Sequence, residues 1–108
     1  MKVFLYLIWI HWFADFVFQT DKMAKGKSKS NAWLSFHVAV YSCFWFVFGW
    51  RFAALNGLAH FGTDWVTSRI TSRLWAKARV HDFFVIIGLD QAIHMTTLLL
   101  TYQWLVRP

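Results

Sequence analysis

The stretch His11-Trp-Phe-Ala-Asp15-Phe-Val-Phe-Gln19-Thr-Asp21 decides how the chain is read, because it sets polar side chains four residues apart in an otherwise apolar segment. At that spacing His11, Asp15 and Gln19 are expected to share one helical face. An unpaired ionisable group costs several kcal/mol in hydrocarbon, so His11 and Asp15 need a shared partner, a metal or a water-filled cavity. The signature recurs as His60 with Asp64 and as Asp90 with His94.

The composition around these pairs is that of a membrane protein. Hydrophobic residues make up 58% of 108 residues against 15% charged, and eight Trp with twelve Phe exceed what a soluble core of this length buries. The length accommodates one domain. The expected fold is all-α, an integral membrane four-helix bundle with spans at about 3–19, 32–50, 52–79 and 82–105. The first span resembles a signal peptide in having Lys2 before an apolar run. His11 and Asp15 interrupt that run and no A-x-A type cleavage site follows, so it reads as a retained helix. The third span, with Ala53 and Gly57 in small-x-x-x-small spacing, is expected inside the bundle and to continue past the membrane along Arg69–Arg79. Asp82 is expected to cap the fourth span.

The net charge of +6 comes from eleven Lys and Arg against five Asp, with no Glu. Nucleic acid is not the expected partner, since the basic residues fall in two short clusters flanking apolar spans, as topology signals do. Lys22, Lys25, Lys27 and Lys29 follow the first span, and Arg69, Arg73, Lys77 and Arg79 follow the third; Lys2, Arg51 and Arg107 remain for the other side. The bias places both termini in the periplasm if the membrane is a bacterial inner membrane. Cys43, the single cysteine, excludes an intrachain disulfide and reads as a small buried hydrophobe.

Counted at about 1.5 Å per residue from the cytoplasmic boundaries, Asp15, His37 and Asp64 fall nearly level. His11 and His60 lie one turn deeper, and Asp90 with His94 one to two turns further in than His37. All seven thus belong to one slab in the cytoplasmic half of the bilayer. Four His and three Asp are a ligand set for one divalent ion or two, zinc first, with manganese or iron as alternatives. The absence of Glu excludes H-E-x-x-H. Gln19 and Gln91 are expected to orient ligands or to contact substrate. Against this stands the plainer reading, in which His37 is a structural histidine bridging helices and the pairs are hydrogen bonds of a polar core.

The motifs H-x-x-x-D-F-x-x-Q-T-D-x-M-A-x-x-K at 11–27, the lone His37, H-x-x-x-D at 60–64 with Ser68-Arg69 following, and D-Q-x-x-H at 90–94 resemble a family of small phage and bacterial membrane proteins catalogued only as a domain of unknown function. That resemblance implies a polytopic inner-membrane protein and carries no activity. More loosely, the His and Asp pairs resemble bacterial membrane-bound metal-dependent hydrolases related to zinc phospholipase C. The function expected is a membrane-embedded metal-dependent hydrolase acting on a lipid phosphoester or related headgroup. His11, Asp15, His37, His60, Asp64, Asp90 and His94 would be ligands, with His37 and Asp64 catalytic. Two alternatives belong to other classes: a non-enzymatic phage or bacterial membrane protein acting in superinfection exclusion or ion and proton permeability, and a metal carrier or sensor. A thin bundle of four helices also makes a homo-oligomer plausible.

Overall fold

Two hydroxyl side chains set the first helix boundaries. In the computed structural model, which describes residues 2–107, Thr20 accepts from the Met23 amide at 3.2 Å and Ser30 from the Trp33 amide at 3.4 Å. Each satisfies an amide that the first turn of a helix leaves free. The helices so begun are α2 (Asp21–Gly26) and α3 (Asn31–Cys43). Before them runs α1 (Lys2–Trp12), which continues as a π-helical turn over Phe13–Val17 and closes with a bond from the Phe18 amide to the Phe13 carbonyl. After them come α4 (Trp50–Ala76) and α5 (Val80–Thr101), the latter extended by a second π turn over Tyr102–Val106.

The fold is all-helical among the described residues. Several boundaries differ from expectation. The second span does not run to Trp50: α3 stops at Cys43, a 3-10 turn follows at Phe46–Phe48, and Gly49 reverses the chain so that Trp50 opens α4. Gly49 has φ +109° and ψ 156°, a conformation that side chains rarely adopt. The segment 20–31 holds a short helix rather than a loop alone. Asp82 does not cap α5, which starts two residues earlier; Asp82 lies in its first turn and pairs with Arg79. Cys43 is exposed, not buried.

The α4–α5 connection is a Schellman turn. The Arg79 amide bonds the Leu74 carbonyl at 2.9 Å and Ala78 has φ 56°, the left-handed position usually held by Gly. The two helices pack against each other as a long hairpin, with α3 on the other side of α4. Gly57 marks that crossing, where a methyl group would meet Ser42 Oγ.

Polarity is inverted relative to a soluble domain. The buried stripe of α4 contains Asn56, His60, Asp64, Thr67, Ser68 and Thr71, while Trp9, Phe36, Val47, Leu58, Phe84 and Trp104 are among many large apolar side chains left exposed. A small apolar core is formed by Leu7, Ala14, Tyr41, Trp45, Phe52, Ala53 and Leu98. One helix, Val80–Val106, is by its 27 residues and composition long and apolar enough to cross a membrane.

Candidate metal centre

Asp15 enters the bundle from the π turn that follows α1, His37 from α3, His60 and Asp64 from consecutive turns of α4, and all four are buried. Their inward atoms converge. His37 Nε2 lies 3.0 Å from His60 Nε2, 3.0 Å from Asp15 Oδ1 and 3.4 Å from Asp64 Oδ2. His60 Nε2 lies 3.4 Å from Asp15 Oδ1 and 3.2 Å from Asp64 Oδ2. An ion held tetrahedrally at about 2.1 Å needs ligand atoms roughly 3.4 Å apart. The five separations match that spacing or fall slightly inside it.

The donor chemistry points the same way. Without a cation, two ring nitrogens 3.0 Å apart can share only one proton productively, while both also face carboxylate oxygens. Two imidazoles and two carboxylates are a set suited to zinc, and also to manganese or iron. The Nδ1 atoms of His37 and His60 have no hydrogen-bond partner, so neither ring is oriented from behind in the usual way of metal-bound histidines. Stacking orients His60 instead: its ring lies between Tyr41 and His94, at centroid distances of 3.9 Å on each side.

A second group, Asp15, Asp90 and His94, also comes together. There the Gln91 amide fills the place a cation would take, donating to Asp15 Oδ2 at 3.0 Å and to Asp90 Oδ2 at 3.1 Å. His94 Nε2 faces Asp64 Oδ1 at 3.0 Å and Asp90 Oδ2 at 3.1 Å, which requires an N–H there and makes it a clamp between two carboxylates. His11 donates from Nε2 to Gln91 Oε1 at 2.7 Å, accepts the Tyr41 hydroxyl at Nδ1 and stands 3.5 Å from Asp15. Of the seven ligand candidates, Asp15, His37, His60 and Asp64 thus form the four-atom set. His11, Asp90 and His94 surround it.

Residues 3–108 match the family described as a protein of unknown function (DUF3307). The chain belongs to that family. No curated protein and no solved structure matches it. Membership of DUF3307 brings no activity with it, so the chemistry rests on the residues alone.

Gln19 stays out of the cluster. The π turn widens the helix between Asp15 and Gln19, which breaks the four-residue register, and the Gln19 side chain lines a neighbouring cavity. Lys27 belongs to the cluster although its charge reads in sequence as a topology signal: its Nζ lies 3.0 Å from Asp64 Oδ2. Tyr41 and Thr67 join as hydrogen-bonding neighbours of His11 and Asp90. Helical spacing signals none of these three, since each acts across the bundle. The buried carboxylates of Asp15, Asp64 and Asp90 carry three negative charges against one on Lys27, leaving two to be balanced by two histidine protons or one divalent cation.

Proposed function

We propose that this chain is a metal-dependent hydrolase embedded in a bacterial inner membrane and acting on a lipid phosphoester or a related headgroup. The observation that carries the reading is the convergence of Asp15 Oδ1, His37 Nε2, His60 Nε2 and Asp64 Oδ2, whose His–His and His–carboxylate separations suit tetrahedral ligands. A divalent ion bound there, zinc before manganese or iron, would supply an activated water and offset charge developing on a phosphoryl oxygen. Asp64 is the one ligand whose inward oxygen also faces a competing cation, Lys27, so the fourth position is the one that opens to substrate. Released from that position, the Asp64 carboxylate is placed to accept a proton, and Lys27 to neutralise a phosphate oxygen. His37, wholly buried, stays a ligand.

Four crossings with both termini periplasmic fit this reading. The exposed apolar side chains would face lipid and the His/Asp cluster would be shielded from it. The Arg69 guanidinium bonds the Asn31 side chain at 3.1 Å, bringing the two basic segments to the same end of the bundle, as a cytoplasmic face requires. The long axis, 47 Å, exceeds the roughly 30 Å of hydrocarbon, so the basic end of α4 would extend outside it.

One observation favours a second reading. Each charged group in the cluster already has a partner within the chain, Lys27 on Asp64 included, so the same residues can form a self-compensating polar core in a non-enzymatic membrane protein. Elemental analysis of protein purified in detergent without chelator separates the two, alongside a His60→Ala, Asp64→Asn double variant. One equivalent of metal in the parent, lost in the variant, together with metal-dependent turnover of a phospholipid in mixed micelles, supports the hydrolase. A folded parent that neither carries nor takes up metal sinks it in favour of the polar core.

A further inference from the structure

Beside the metal centre, towards the basic end of the bundle, lies a cavity of about 610 Å³, within the range of small-molecule sites. Its two walls differ in chemistry. One is cationic, formed by Lys25, Lys27 and Lys29. The other is apolar, formed where α4 ends and α5 begins by Trp75, Phe83, Phe84 and Ile87. No carboxylate lines it. Between the walls the Ser68 hydroxyl, on a residue only 7% exposed, has no hydrogen-bond partner, and neither has Gln19 Oε1. A buried polar atom without a partner is unfavourable, so these two atoms mark a place where a polar ligand group belongs. Trp75 and Phe84 are 60% and 61% exposed, which makes the apolar wall continuous with the outer surface.

We propose that this cavity is a binding site for the headgroup of an anionic phospholipid, with the phosphate held among Lys25, Lys29 and Ser68 and the acyl chain leaving past Trp75 and Phe84. Lys27 is already paired with Asp64, while Lys25 and Lys29, which have no carboxylate partner among the described residues, select an anion. The apolar wall selects one that carries a chain, since a hydrated free phosphate has no use for Trp75 or Phe84. Lys27 belongs both to the cavity wall and to the Asp64 contact, so it links the cavity to the metal centre, whose four ligands do not themselves line it. The inference rests on the membrane part of the function proposed above, because its ligand arrives from a bilayer, but not on the metal.

The test is lipid binding by native mass spectrometry on chelator-treated protein in a neutral detergent, so a failed metal centre does not mask it. The probes are phosphatidic acid, phosphatidylcholine and glycerol phosphate, on the parent chain, a Lys25→Gln, Lys29→Gln variant and a Phe84→Asn variant. The expected result is phosphatidic acid bound at least tenfold tighter than phosphatidylcholine. Each lysine near a lipid surface contributes about fivefold, so the double lysine variant should lose roughly thirtyfold. Phe84→Asn should weaken phosphatidic acid and leave glycerol phosphate, bound only weakly, unchanged. Equal binding of phosphatidylcholine, or full affinity in the folded double lysine variant, overturns the proposal. Glycerol phosphate binding as tightly as the lipid would show a site for the free anion and overturn the lipid assignment.

Discussion

His60 and His94 touch the same carboxylate from opposite oxygens, Asp64 Oδ2 and Oδ1, at 3.2 and 3.0 Å. Only the first belongs to the four-atom set, and the two should respond differently to removal. His60→Ala should abolish metal retention, while His94→Ala, which loses an outer clamp, should weaken zinc affinity by about 10- to 100-fold; competition with a chromophoric chelator measures both. Equal losses in the two variants would argue that His94 is itself a ligand. Lys27 gives a prediction of opposite sign. Its ammonium repels a cation sharing Asp64 Oδ2, so Lys27→Met should raise metal affinity by tenfold or more in the same titration. Weaker retention in that variant would remove Lys27 from the role assigned to it. The His/Asp pairs were legible in sequence because both members lie on one helix, where spacing alone reports proximity. Lys27 and Tyr41 were not, because their partners lie 37 and 30 residues away in sequence.

At the scale of helices, what sequence could not disclose are the places where the backbone leaves the α-helical pattern. A π turn has no residue signature in F-A-D-F-V, and the aromatic run Phe44–Phe48 looks like continuing helix until Gly49 turns the chain. α3 therefore ends seven residues before its expected end at Trp50, whereas α4 starts only two residues before its expected start and, with Gly57 at a close approach, sits inside the bundle as small residues at that spacing imply. Backbone strain offers a test of the α4–α5 turn that is independent of the metal. Ala78 occupies a left-handed position, so Ala78→Gly should stabilise the fold by about 1 kcal/mol, read as a higher unfolding temperature in detergent. A decrease would mean that the turn is held differently.

For the molecule as a whole, the distribution of polarity is the dominant fact: a His/Asp cluster sits inside and much of the aromatic surface outside. Composition announced this, since the aromatic residues outnumber the places a small core can offer, but how the polar groups divide into an inner set and its supports required the packing of all the helices. The charge balance of that interior predicts a stoichiometry. If two histidine protons compensate the metal-free cluster, one divalent ion should displace about two protons, measurable with a pH indicator in weakly buffered detergent. Affinity should then fall by up to a hundredfold for each unit by which the pH is lowered, over the range where the metal-free cluster holds both protons. Release of none would mean that compensation comes from elsewhere. Gln91 adds a consequence of another kind. Its amide joins His11 on one side to Asp15 and Asp90 on the other, yet an amide exchanges hydrogen bonds without gaining or losing a proton. It is an insulator set into a chain of would-be relays: the Tyr41–His11 arm and the Asp90–His94 arm feel each other's orientation, but no proton wire runs between them through this residue.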